Sequence, residues 1–108
     1  MRILITGGAG FIGSNLTEFL LKKDHEIILV DDLSTGKTEN IAHLLDQLQF
    51  VEKKVELLDL SSFGDIDSVI HLAAQASVPL SISDFKQSST TNLLSSICIL
   101  DFCAKENI

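Results

Sequence analysis

The chain has 108 residues, of which 45% are apolar and 21% charged, and its formal net charge is -7. That length suits a single domain with a core of its own, and that balance is globular, not disordered. A net acidic surface repels a polyphosphate duplex, and no apolar run approaches the roughly 20 residues that span a bilayer, so neither nucleic acid nor a membrane is an expected partner.

Met1-Arg2 leads directly into Ile3-Leu4-Ile5, which is not the pattern of a secretory leader, so a cytoplasmic location is expected. Ile3-Leu4-Ile5 reads as a buried parallel strand that ends at glycines. Ile12, Leu16, Phe19 and Leu20 then recur at helical spacing, and Lys22, Lys23 and Asp24 close that helix. Residues 27–30 form a second buried strand, stopped by Asp31-Asp32, and residues 33–37 are rich in turn formers. Ile41, Leu44, Leu45 and Leu48 mark a second helix. Residues 55–58 read as a third strand ending at Asp59, and residues 69–73 as a fourth. The serine-rich stretch 76–89, which holds Pro79, reads as a loop. Leu93, Ile97, Leu100 and Ala104 mark a last helix.

Strands alternating with helices demand a parallel sheet with crossovers on its faces. The expected fold is α/β: a Rossmann-type, doubly wound parallel sheet of order 3-2-1-4, with helices on both faces and residues 1–108 forming one domain. Cys98 and Cys103 lie in the last apolar stretch, form no CxxC pair and have no histidine cluster beside them. They read as buried thiols in a reducing compartment, and no metal site is expected.

Chemistry concentrates between the first strand and the first helix. In Thr6-Gly7-Gly8-Ala9-Gly10-Phe11-Ile12-Gly13, the glycines at 8, 10 and 13 satisfy G-x-G-x-x-G, and those at 7, 10 and 13 satisfy G-x-x-G-x-x-G. Such a loop allows a tight turn, close approach of the backbone to a pyrophosphate, and close packing of helix on sheet. The pyrophosphate would rest on the helix amides near Phe11 and Ile12. Asp31 ends the second strand about 20 residues past the loop, where a carboxylate accepts from adenosine ribose hydroxyls and repels a 2′-phosphate. The expected cofactor is therefore NAD, not NADP. Asp59, placed on the same edge of the sheet, can lie near the adenine. His71 has no acid partner in sight and reads as structural, His25 as a turn residue and His43 as surface. Lys22, Lys23, Lys53 and Lys54 read as solvated charges.

At these residues the sequence resembles the extended short-chain dehydrogenase/reductase family, in particular its NAD-dependent nucleotide-sugar epimerases and dehydratases. The matching segments are the glycine loop, Asp31-Asp32-Leu33-Ser34-Thr35-Gly36, Asp59-Leu60, His71-Leu72-Ala73-Ala74-Gln75, Ser77-Val78 with Ser81, and Asn92. The resemblance covers the whole chain and implies roles. Gly7, Gly10, Phe11, Ile12 and Gly13 would hold the pyrophosphate. Asp31, Asp32, Ser34, Thr35 and Gly36 would hold the adenosine ribose, and Asp59 and Leu60 would flank adenine. Leu72, Ala73, Ala74 and Gln75 would line the nicotinamide side, with Asn92 nearby. Ser77, Val78 and Ser81 match the loop that borders a nucleotide-sugar substrate. Two departures stand out: Asp84-Phe85 where the family usually has Asp-Pro, and Ser95-Ser96 where it often has Gly-Thr.

The family's chemistry needs a Ser/Thr and a Tyr-x-x-x-Lys that come later in its chains, and this sequence contains no tyrosine. No catalytic residue is therefore assigned, and the 108 residues alone are expected to be inactive, an NAD-binding domain whose catalytic and substrate-binding remainder is absent. The resemblance implies a UDP-hexose 4-epimerase working through a 4-keto intermediate, and a homodimer for the parent protein. A non-catalytic NAD-binding module and a reductase of small carbonyl compounds are the alternatives. An apolar fourth strand left at the sheet edge also predicts self-association of this chain.

Overall fold

Four short strands lie side by side, the two central ones aliphatic runs and the two outer ones shorter and more polar. β1 (Arg2–Thr6), β2 (Glu26–Asp31), β3 (Gln49–Glu52) and β4 (Ser68–His71) form a parallel sheet of order β3-β2-β1-β4, the expected order. The structure, a computed structural model, describes residues 1–74 and 78–108, leaving aside the side chains of Val78, Leu80 and Ser81. Thr6 pairs with Val30 on one side and His71 on the other, so three strands finish level at their carboxyl ends.

Alternate residues feed two cores. Leu4, Ile28 and Val30 point to one face, where Val55, Leu60, Ile66, Ile99 and Phe102 cover them. Ile3, Ile5, Ile27 and Leu29 point to the other, with Ala9 and Ile41. Burial on both faces is why β1 and β2 read as unbroken aliphatic runs. Arg2 fastens the amino ends: its backbone N–H donates to Asp67 (2.7 Å), its Nε to Glu26 (2.8 Å), and its Nη1 to the carbonyls of Phe63 and Asp65.

Three expectations are corrected. The third strand is Gln49–Glu52, not residues 55–58, and Val55–Leu57 is a 3-10 turn. Both segments are apolar enough to be strands. The edge of β2 is taken by the earlier one, and Lys53 N–H continues the ladder to Asp31 O at 3.1 Å. Val55 still reaches the core, from a turn. The helix expected over 41–48 is instead two 3-10 turns, Thr38–Asn40 and Ala42–Leu44. Ile41 and Leu44 are buried and Leu45 is exposed. A three-residue repeat suffices to bury the first two, and β3 follows too soon for a full helix. Finally, residues 78–83 and 85–89 of the stretch expected as loop are helical: α2 (Val78–Ser83) and the start of α3 (Phe85–Glu106), which follow α1 (Phe11–Leu21). Pro79 fits in the first turn of α2, where its missing N–H has no helical acceptor to lose. Asp84 caps α3 by accepting from Gln87 N–H at 3.2 Å. Among the described residues no helix is long and apolar enough to cross a membrane.

Candidate functional site

The site begins where β1 ends. Gly7 turns the chain with φ +73°, a conformation that disfavours side chains, and lies flat against the exit of β4. A Cβ on it would stand 2.7 Å from Ala73 N. Gly13, inside α1, sits so close to the loop that a Cβ there would stand 2.3 Å from Gly7 O. The helix therefore starts directly against the end of the strand. Its first helical bond is Ser14 N–H to Gly10 O at 3.0 Å, which leaves the amides of Phe11, Ile12 and Gly13 without intrahelical acceptors. Those amides and the helix dipole make an anion-binding end.

Asp31 is only 8% exposed. Its Oδ2 accepts from Ala9 N–H (2.9 Å) and its Oδ1 from Leu33 N–H (2.8 Å), so one carboxylate ties the glycine loop to the loop after β2. Lys37 N–H and the Asn40 side-chain amide both donate to Ala9 O, at 3.1 and 2.8 Å, and draw the second loop over the first. Asp32 folds back on Ser34, accepting from its N–H (3.0 Å) and its hydroxyl (2.7 Å). Each carboxylate oxygen of Asp31 can accept a second bond, so the clasp leaves capacity for a ligand hydroxyl.

A cleft of about 630 Å³ opens over the carboxyl ends of the strands. Its size is within the range of ~300–1,000 Å³ typical of small-molecule sites, and its position is the one where open α/β sheets bind ligands. Most of the expected cofactor residues line it. Gly7, Gly10, Phe11 and Ile12 come from the glycine loop and α1. Asp31, Asp32, Ser34, Thr35 and Gly36 come from the exit of β2, and Leu72, Ala73 and Ala74 from that of β4. Gly13 lies behind the loop. Gln75 and Ser77 lie outside the described residues, as do the side chains of Val78 and Ser81.

Asp59 and Leu60 are not brought to this cleft. Leu60 is buried in the core, and Asp59, exposed, accepts from the Ser61 hydroxyl at 2.5 Å. The segment that lines the cleft after β3 is Lys53, Lys54, Val55 and Glu56. The two lysines read from sequence as solvated charge thus stand in the wall near Asp31 and Asp32. Placing β3 correctly would have found them, since they follow it as Asp32 follows β2. Asn92 is not itself in the wall, but its neighbours on α3, Thr91 and Ser95, are, as is Gln87.

His71 stands at the level end of β4. Its Nδ1 is 2.6 Å from Thr6 Oγ1 and its Nε2 is 3.4 Å from Ser96 Oγ. Burial pushes its pKa below the ordinary histidine value, and no carboxylate contributes, which fits the structural role read from sequence. His43 pairs with Glu18 at 3.6 Å on the surface, and His25 contacts the N-terminal amine at 3.2 Å. Cys98 and Cys103 are free and half-buried against the core.

A family model for the NAD dependent epimerase/dehydratase family matches residues 3–108. The chain belongs to that family. The UDP-glucose 4-epimerase of Mycolicibacterium smegmatis is 38% identical over 104 residues, covering 90% of this chain and 33% of that protein. Among solved structures, the UDP-glucose 4-epimerase of Thermotoga maritima with UDP-glucose aligns over all of this chain and 35% of its own. Its TM-score is 0.91 and its identity 38%. The Thermus thermophilus UDP-glucose 4-epimerase in complex with NAD gives a TM-score of 0.89 at 35% identity, with the same coverage. The chain spans about a third of the length of the curated UDP-glucose 4-epimerases it matches. The resemblance drawn from the sequence, and the Rossmann-type fold it implied, are those of this epimerase/dehydratase family.

Proposed function

We propose that the cleft is an NAD site and that this chain is the cofactor-binding part of a nucleotide-sugar epimerase, of the UDP-sugar 4-epimerase kind. The observation that carries the reading is one geometry: free helix amides at Phe11 and Ile12, and Asp31 across the loop from them, on one cleft at the strand carboxyl ends. The amides suit a pyrophosphate, and Gly7 and Gly13 let the loop pack directly against the exit of β4 and the start of α1, where a Cβ on either would strike backbone. Asp31, with Asp32, Ser34, Thr35 and Gly36 around it, suits a ribose diol and opposes a 2′-phosphate. Lys53 to Glu56 line the cleft after β3 and would flank adenine, the role first expected of Asp59 and Leu60. Leu72, Ala73 and Ala74, with Gln75 and the Asn92 turn of α3, would face the nicotinamide. Ser77, Val78 and Ser81 would border the sugar nucleotide. When bound, NAD supplies reversible hydride acceptance; the residues here bind and orient it.

Titration calorimetry with NAD and NADP tests the cofactor reading. NAD binds more tightly, and Asp31→Ala weakens it by about 1–3 kcal/mol, the worth of charge-assisted bonds. Tighter NADP binding overturns the choice of cofactor. The 108 residues contain no tyrosine to act as base, so no turnover of UDP-galactose is expected from them alone, and turnover above background would refute that.

The partner reading is a second copy of the chain docked through α3. Leu93, Leu94, Ile97 and Leu100 are all exposed, at 64%, 41%, 51% and 69%, and lie on one side of the helix. A shallow apolar groove lies between Thr90, Leu93, Leu94 and Ile97. Exposed apolar stripes of this kind are interaction surfaces. Sedimentation at micromolar concentration should show a dimer that Ile97→Glu dissociates. Association that survives this substitution would point to the open edge of β4 instead.

A further inference from the structure

Thr6 Oγ1 has two neighbours. Ala73 N–H donates to it at 3.2 Å, and His71 Nδ1 lies 2.6 Å away. Ala73 N–H occupies one lone pair of Oγ1; Thr6 is fully buried, so its hydroxyl hydrogen is placed on the ring nitrogen 2.6 Å away, which makes Nδ1 the bare nitrogen of a neutral ring. The ring proton is then on Nε2, directed at Ser96 Oγ, 3.4 Å away, which in turn donates to Asn92 O at 2.8 Å. The donors therefore run in one sense from Ala73 through Thr6 to His71, and from His71 through Ser96 to α3. This bond set takes over where the sheet stops: the last backbone bond is Leu72 N–H to Thr6 O at 3.0 Å, and the next residue is held by the Thr6 side chain. The held residue, Ala73, is the one lying flat on Gly7.

We propose that His71 is a positioning residue: as the neutral Nε2–H tautomer it orients the Thr6 hydroxyl, which pins Ala73 on Gly7 and so sets the nicotinamide-side wall of the cleft. The proposal rests on the cofactor seat proposed above. A protonated ring carries a hydrogen on both nitrogens. Nδ1–H would then meet the Thr6 hydrogen, which would lose its acceptor, and the wall would loosen. Among the described residues, the groups hydrogen-bonded to the ring are Thr6 from β1 and Ser96 from α3, both uncharged. Arg2 is at the far end of β1. On α3, Cys98 is not hydrogen-bonded to the ring, and Lys86 and Asp101 lie more than a turn from Ser96. Burial alone lowers the basicity of the imidazole.

The test is calorimetric titration of the full chain with NAD and with ADP-ribose, which lacks the nicotinamide, between pH 5.5 and 8. Two variants separate the contacts. His71→Asn keeps an acceptor near Nδ1, and His71→Leu removes both ring nitrogens. At pH 7.5, His71→Leu should weaken NAD by about tenfold and ADP-ribose by less than about twofold, the loss of one oriented hydrogen bond at one end of the cleft. His71→Asn should stay close to wild type. In the unsubstituted chain, NAD affinity should fall as the ring protonates while ADP-ribose affinity does not, and His71→Asn should abolish that difference. This pH profile needs no variant that must fold in place of the original. Equal loss of both ligands in His71→Leu, or the same pH response for both ligands in the unsubstituted chain, overturns the proposal and leaves the cofactor seat standing. An unsubstituted chain that binds neither ligand overturns the seat, and the proposal with it.

Discussion

α1 and α3 cover opposite faces of one sheet and do so with different residues. α1 turns Gly13, Ser14 and Thr17 inward and leaves Phe11, Ile12 and Phe19 outside. α3 buries Ser88 and Ser95 in its first half and Ile99 and Phe102 in its second. The difference follows distance from the cleft. At the glycine loop the helix must approach the backbone within reach of Gly7 O, so only small residues fit beneath it. Farther from the cleft the space between helix and sheet widens, and branched and aromatic side chains fill it. The outward apolar residues then differ in use. Phe11 and Ile12 form cleft wall, and Phe19 carries the Lys23 ammonium 5.6 Å above its ring. Those of α3 form the continuous stripe proposed for a second copy.

The two faces of α3 give the largest test of this comparison. Phe102→Ala opens a cavity in the core and should cost about 3–5 kcal/mol. Leu100→Ala, two positions away and 69% exposed, should change monomer stability by less than about 0.5 kcal/mol. Urea unfolding below the association range measures both, and equal costs would abolish the distinction between inner and outer face. For α1, Gly13→Ala should destabilise by about 1–3 kcal/mol although alanine is the better helix former, because the added methyl meets Gly7 O. A neutral or stabilising effect would show that helix and loop are not in contact there.

The smallest expected effect is on pH dependence. The fold lowers the His71 pKa, so the folded chain binds fewer protons than the unfolded one just below the ordinary value of about 6.5. That contribution to stability is complete above about pH 6.5 and is lost as the pH falls through the folded pKa. The urea midpoint should therefore decline on acidification, and less so in His71→Asn. A decline of the same size in that variant would assign it to other groups.

The first βαβ unit was legible because its signals are local. A strand of three aliphatic residues, glycines at fixed offsets, a helical stripe and an acid at the next strand end are all set by backbone sterics and hydrogen bonding within about 30 residues. The strand order 3-2-1-4 followed from the alternation of strand and helix, which allows few topologies. The segment between β2 and β4 was not legible. Gln49–Glu52 and residues 55–58 are equally credible strands, and only the free edge of β2 chooses between them, placing Lys53 and Lys54 in the cleft wall in place of Asp59 and Leu60. Helicity across residues 78–89 escaped notice because serine is common there, and Asp84 works as a cap only once Gln87 N–H is in place to donate to it. Composition could likewise say that α3 has an apolar stripe but not that the stripe faces outward. That was decided by the opposite side of the helix, where Ser88, Ser95, Ile99 and Phe102 are buried against the sheet and its turns.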